Sequence, residues 1–563
     1  MTVIEKIRKK LQDENLDAYV IAYGNRYIGQ DISSNEHKLS KLCGFTGSAG
    51  IAVVTKDSAY LLVDGRYELQ AKQETEASEI VVVDLLPRLK NVCDLLKPLN
   101  VTNIGYDAWC HTVAEMEFIK RHFFDMKFFD AGDWLGANTK ETIKIRQRDV
   151  AFSGQSSAEK IAVIKNMLKD QQAEYYLFTS ADSVSWLMNI YAHDLPYSPV
   201  VRAYALVAKD GNTILYGDNL VTELSNGNWQ DFTEKMANLG EVKLMYDAHI
   251  APEKIKTMID DKTKLIKAPD ICQMLKAEKN PVEMQGMINC HIRDGVALSK
   301  FLCWLDENYR QKTELDVVKK LHSFRAEQKY FWGESFNTIA GFAQNGAVVH
   351  YQPNEKTNKV LDEGSLLLLD SGGQYLDGTT DVTRTIALGK PSKEMIRDFT
   401  LVLKAHVALA SACFPIGTAG VKLDILARNK LWQRGLDYKH GTGHGVACFG
   451  NVHEGPISIS TNSSDYGFKS NMITSDEPGI YKENEYGIRT ENLLYTVESE
   501  NSGFLKFNIL TKVPIDKRLI DKYMLENGEQ MWLNNYHQDV YESLAPYMNE
   551  KEKMWLKDVC SPL

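Results

Sequence analysis

No apolar stretch in the 563-residue chain approaches the ~18–20 residues that a bilayer-spanning helix requires. The start, Met1 to Lys10, is charged from Glu5 onward and has no apolar core, so a secretory signal is not expected. Basic residues are outnumbered, 65 against 75 acidic, and a net charge of −10 gives no electrostatic footing for nucleic-acid binding. No two cysteines form a CxxC pair; the nine (43, 93, 110, 272, 290, 303, 413, 448, 560) are scattered and odd in number. They read as free thiols in a reducing compartment, the cytoplasm, each packed as a small buried hydrophobe. Low-complexity runs and long linkers are also missing.

What is present is ordinary globular composition, 44% hydrophobic and 25% charged, in a chain too long for one core. Residues 5–21 (EKIRKKLQDENLDAYVI) and 159–178 (EKIAVIKNMLKDQQAEYYLF) each read as an amphipathic helix running into a short apolar strand. Residues 56–70 (KDSAYLLVDGRYELQ) and 209–224 (KDGNTILYGDNLVTEL) match at nearly the same offset. Two such matches point to a duplicated α/β domain, with chance likeness of helix-strand units as the bland alternative. The expected division is therefore an α/β domain over 1–155, a related one over 156–272, and an α+β domain over 273–563 with a C-terminal extension from about 514.

In the third region Asn280-Pro281-Val282-Glu283 reads as a capped helix start, and apolar positions from Met284 to Leu302 mark one helix face. A second helix is expected at 313–327. Turn-rich strands follow at 339–341, 347–350 and 366–370, then helices at 392–413 and 420–434. Short strands return over 470–512, and a final helical segment rich in Trp, Tyr and Leu occupies about 514–557.

Three clusters carry chemistry. In the first, the run Leu366–Leu369 delivers Asp370, glycines allow tight turning, and a second strand delivers Asp381. A hairpin would set both carboxylates side by side, and buried like charges demand a shared proton or a cation. Asp377-Gly378 between them reads as a turn. In the second cluster, three of the thirteen histidines fall within residues 440–453: His440, His444 and His453. The intervening glycines exclude a helical HExxH site and imply close backbone approach in a turn or strand. Cys448, in the same segment, reads as packing. In the third cluster Glu477 precedes Pro478-Gly479 at a strand end, and Glu491 follows Arg489 by two positions in an alternating strand, which would put both side chains on one face.

Together Asp370, Asp381, His444, Glu477 and Glu491 make a set of four carboxylates and one imidazole. Oxygen-rich ligation favours Mn²⁺, with Co²⁺, Fe²⁺ or Zn²⁺ as substitutes, and disfavours a closed structural zinc site. Four negative charges call for about two divalent cations, which at ~3.5–4 Å spacing activate a water and polarise a carbonyl.

At these residues the chain resembles the pita-bread metallopeptidases, and among them the three-domain X-prolyl aminopeptidases. The matching motifs are DGTTDVTRT (377–385), HGTGHG (440–445), NVHEGP (451–456), EPGIY (477–481) and IRTEN (488–492). DGRYELQA (64–71), HIRDGVAL (291–298) and the extension near WLNNYH (532–537) carry the likeness over nearly the whole chain. The resemblance implies two creatinase-like α/β domains before a pita-bread catalytic domain. It implies that Asp370 binds one metal, that Asp381 and Glu491 bridge both, and that His444 and Glu477 bind the other, with Glu477 also the general base. His350 and His453 would contact the substrate carbonyl, His440 would line a proline pocket, and Arg489 would order the Glu491 region. The implied substrates are peptides with proline at the second position, cut before that proline, and a homodimer is expected by analogy.

Two rivals share the fold. A prolidase-type dipeptidase lacks the extra repeated domain. A non-catalytic binding protein of this fold loses ligands and often gains basic tails, whereas all five ligand positions are intact here and the chain is acidic.

Overall fold

The computed structural model describes residues 1–29, 32–136 and 142–563. The chain divides into two compact units, one of Met1–Val150, Gln155–Leu195 and Pro199–Cys272, the other of Gln273–Leu563 with Ala151–Gly154 and Pro196–Ser198.

The first unit holds the same sheet twice. One six-stranded sheet has the order Val81–Asp84, Ala59–Val63, Ile51–Thr55, Ala18–Ala22, Asn103–Tyr106, Lys127–Asp130. The other has the order Asn226–Gly227, Thr213–Tyr216, Tyr204–Ala208, Tyr175–Phe178, Lys243–Tyr246, Lys264–Lys267. In each, the first strand in sequence pairs antiparallel on one side and parallel on the other. The helices that open the two halves, Val3–Asp13 and Ser157–Asp170, both begin with a capping box, Thr2 with Glu5 and Ser156 with Glu159. The duplication read from the sequence is thus one of topology as well.

In the second unit Asn280 caps the helix Pro281–Asn308, accepting from the amides of Val282 and Glu283, with Pro281 at the first position. The helix Glu314–Ala326 follows, and two more, Lys393–Ala410 and Gly420–Trp432, stand where they were expected. These helices cover three- and six-stranded antiparallel sheets. Among the described residues no helix is long and apolar enough to cross a membrane.

Three expectations need correction. Ala347–His350 is not a strand: Ala343–Ala347 forms a 3₁₀ turn, and the residues after it pair with no strand. The Glu314 carboxylate there accepts from Phe342 N, Asn345 Nδ2, Tyr351 Oη and Lys359 N, drawing the segment into a loop. The region from 514 is helical only at Asn527–Leu544 and Glu550–Val559, apart from short 3₁₀ turns. The carbonyls of Val513 and Pro514 instead accept from the Arg384 guanidinium. All nine cysteines are free, but Cys413 is exposed and Cys110 only half-buried, so neither is core packing.

Candidate metal centre

The strands Ser365–Ser371 and Val382–Leu388 run antiparallel with Asp370 opposite Thr383, so Asp370 ends one strand as Asp381 enters the other. Between them the chain peels away into the short hairpin Gly373–Tyr375 and Gly378–Thr379, which pairs with Phe331–Glu334. Gly372 makes this possible: a Cβ there would lie 2.0 Å from the Thr380 carbonyl. Asp377 sits at the hairpin turn, as expected, and is paired with Arg293.

His444 lies on the strand Gly443–Gly445, wedged between Ile473–Asp476 and Glu454–Ile459. Any side chain at Gly443 would strike the Ser475 carbonyl at 2.0 Å. Glu477 follows Asp476 and is fixed by its amide, which donates to Thr442 O at 2.8 Å. Glu491 occupies a break between Tyr486–Arg489 and Asn492–Glu498 rather than a continuous strand. Alternation therefore does not set its direction. Thr383 does: its hydroxyl donates to Glu491 Oε2 at 2.8 Å and accepts from Arg489 Nε at 3.1 Å.

Ligand-capable atoms of Asp381, His444 and Glu491 all lie within 4.8 Å of one another. His444 Nε2 is 3.5 Å from Asp381 Oδ2 and 3.8 Å from Glu477 Oε1. Arg489 ties in the rest, with Nη2 2.6 Å from Asp370 Oδ2 and Nε 3.9 Å from Glu477 Oε2. Asp370 Oδ1 is buried and has no hydrogen-bond partner among the described residues.

The electrostatics follow from crowding. Burial pushes the Asp381 carboxyl well above its usual range, and the charges of Asp370 and Glu477 push it further. Glu491 is raised in the same way, by burial and then by Asp381, Asp370 and Glu477. Burial opposes the charge on Arg489, but Tyr481, Asp370 and Glu477 outweigh it and hold the guanidinium firmly protonated.

The histidines fall around this cluster. The His453 ring meets that of His444 edge-on, centroids 4.3 Å apart. Buried His440 has Nε2 2.8 Å from the Tyr481 hydroxyl, which accepts from Arg489 Nη1 at 2.7 Å. His350 is half-buried, and the carbonyl of its neighbour Val349 accepts from Arg489 Nη1 at 3.4 Å. Sequence reasoning missed three supporting residues. Thr383 and Tyr481 are described above. The third, Arg384, is buried, and its Nη1 donates to Glu491 O at 2.6 Å. Thr383 and Arg384 stand inside the DGTTDVTRT motif and Tyr481 ends EPGIY, so position in a motif was the available signal.

Family models match the chain from end to end. Residues 4–137 and 138–283 each match the creatinase/prolidase N-terminal domain, residues 285–498 match metallopeptidase family M24, and residues 503–563 match the C-terminal region of that peptidase. The chain is 34% identical to a probable Xaa-Pro aminopeptidase P of Laccaria bicolor, over 100% of this chain and 93% of that protein. It is also 34% identical to aminopeptidase P1 of Lotus japonicus, over 97% of each. The solved X-prolyl aminopeptidase of Caenorhabditis elegans, described as a cytosolic enzyme with a di-nuclear active site, matches with TM-score 0.93 at 30% identity over 100% of both chains. A prolidase from Pyrococcus horikoshii matches in fold alone, with TM-score 0.51 at 21% identity over 63% of this chain and 99% of that one.

Proposed function

The chain belongs to metallopeptidase family M24, among its Xaa-Pro aminopeptidases, and on that premise we propose that it hydrolyses the bond between an N-terminal residue and a following proline. The observation that carries this reading is the convergence of four carboxylates and one imidazole, from separate stretches of chain, on one largely buried space. Their chemistry fits a pair of divalent cations. Asp381 and Glu491 are driven toward protonation when nothing else balances them, and Asp370 Oδ1 is an orphaned buried acceptor. We assign Asp370 to one ion, His444 and Glu477 to the other, and Asp381 and Glu491 to both, with Mn²⁺ favoured and Co²⁺, Fe²⁺ or Zn²⁺ as substitutes. Two bound cations would supply Lewis-acid chemistry, lowering the pKa of a water and polarising the scissile carbonyl.

The protein's own groups do the rest. Glu477 is the most accessible carboxylate of the set, its side chain 19% exposed against 11% for Asp370 and 6% for Asp381. It is therefore placed to take the proton of the attacking water and hand it to the leaving proline nitrogen. His453 and His350 donate to the carbonyl oxygen as negative charge develops on it. His440 and Tyr481 offer an aromatic wall for the proline ring, and Arg489 acts indirectly, by positioning Asp370, Tyr481 and Thr383. An X-Pro bond has no N–H and a restricted φ, which handicaps peptidases that read an extended backbone but not a site of this kind.

We read the domains as 1–155, 156–272 and 273–563. A homodimer is supported by exposed apolar side chains in the C-terminal extension, Tyr523, Met531, Tyr547 and Met554. A cytosolic location is supported by nine free thiols and by the description of the C. elegans relative.

The test is an assay of metal-depleted protein on Arg-Pro-Pro and Ala-Pro with Mn²⁺, Co²⁺ or Zn²⁺ restored. Tripeptide cleavage that returns with Mn²⁺ is expected, whereas turnover of the dipeptide alone would make it a prolidase. In Glu477→Gln turnover should fall about 10²–10⁴-fold; full activity in that variant would remove Glu477 from the proton-transfer role.

A further inference from the structure

The first unit contains a cavity of about 490 Å³ whose lining includes none of the residues assigned to the metal centre. It lies beyond the carboxyl ends of the strands Ala18–Ala22 and Asn103–Tyr106, since Arg26 and Tyr27 follow the first and Trp109 and Cys110 follow the second. Those strands are parallel neighbours. The chain leaves them in opposite directions across the sheet, toward Ile51–Thr55 from one and toward Lys127–Asp130 from the other. A reversal of this kind opens the crevice in which α/β sheets take up ligands. The volume falls within the ~300–1,000 Å³ of small-molecule pockets.

The charges on the wall indicate which ligand. Lys38 is bonded to Asp107 at 3.0 Å and lies 3.5 Å from Asp133. Arg202 is bonded to Glu36 at 3.0 Å and to Asp194 at 2.7 Å. Two lining charges remain, Arg26 and Asp218, and neither side chain has an ion pair or hydrogen bond among the described residues. The Arg26 guanidinium packs on the rings of Trp229 and Trp109, 4.5 and 5.0 Å from their centroids, contacts that steady its plane while its N–H groups stay open to an anion. Its backbone is pinned: the Tyr204 hydroxyl donates to Arg26 O, and Ile28 N donates to Asn25 O at 3.0 Å.

We infer that this cavity binds a free α-amino acid as its zwitterion, the carboxylate on Arg26, the ammonium on Asp218 and an apolar side chain against Trp109 and Tyr27. The cavity stands apart from the metal-ligand residues in sequence and needs none of them. If the hydrolytic reading holds, the residue released from the peptide belongs to the same chemical class.

Titration of metal-loaded, full-length protein with L-leucine, followed by tryptophan emission, tests this. A saturable change is expected, weakened about tenfold or more in both Arg26→Gln and Asp218→Asn. Arg-Pro-Pro turnover without added amino acid should be unchanged in both variants, because neither residue belongs to the metal centre. 4-Methylpentanoate and 3-methylbutylamine, which keep the side chain but carry one charge each, should bind at least about tenfold more weakly. No saturable change with L-leucine, binding that survives both substitutions, or equal binding of either half-ligand would overturn the inference.

Discussion

Arg489 lies among the carboxylates, 2.6 Å from Asp370 and 3.9 Å from Glu477. Its planar head donates at once to Asp370, to the Tyr481 hydroxyl and to the Thr383 hydroxyl, and Thr383 in turn holds Glu491. A lysine ammonium has the charge but not the fork. Arg489→Lys should therefore keep the fold but lose about 10–100-fold in Mn²⁺ affinity, read by calorimetric titration. Unchanged affinity would mean that the carboxylates hold their places unaided. The ligand side chains themselves were legible in the sequence because they stand where strands break. Asp370 closes an apolar run, Glu477 precedes Pro-Gly, and His444 is flanked by glycines that no other residue could replace. Their supports were harder to read. Thr383 and Tyr481 are ordinary strand residues by pattern, and only long-range hydrogen bonds give them a role.

At the scale of elements, the loop carrying His350 depends on a residue far away in sequence. Glu314, at the start of the helix Glu314–Ala326, is fully buried and accepts only from donors. Phe342 N, Asn345 Nδ2, Tyr351 Oη and Lys359 N all point at its two oxygens. Glu314→Gln would set an amide NH₂ against that ring of donors. We expect it to cost about 1–3 kcal/mol of stability and to raise KM for Arg-Pro-Pro more than it lowers kcat, because His350 would lose its fixed position. A variant with wild-type melting and wild-type KM would show that the loop is held by something else. The same contact explains why Val348-Val349 misled a reading by β-propensity: a local pattern carries no information about a carboxylate more than thirty positions upstream. Elements with local causes were legible, such as the capped helices at Thr2, Ser156 and Asn280. The C-terminal stretch was not, because Arg384 and Tyr536 draw residues 513–514 out of any helix.

At the scale of the molecule, duplication and acidity were legible because they are sums over many residues, while the cavity at the strand ends of the first sheet was not, because its charges come from five separate stretches of chain. The second unit, in contrast, concentrates charge in one place, and this couples its stability to pH. Without cations, Asp381 and Glu491 keep protons that the unfolded chain has already released above the ordinary values of 3.8 and 4.5. The folded state then binds more protons than the unfolded state, so metal-free stability falls as pH rises from those values toward the raised ones. Metal binding needs both groups ionised, so protons compete with cations and the metal-loaded form gains as pH rises. The two curves must diverge. At a Mn²⁺ concentration of ~100 times Kd the ion adds about 2.7 kcal/mol, enough to move melting by several degrees. The difference in melting temperature between Mn²⁺-loaded and metal-free protein should therefore be larger at pH 8 than at pH 5, measured by calorimetry at fixed free Mn²⁺. A gap that stays constant or narrows would show that Asp381 and Glu491 are not the groups whose protons the ions displace.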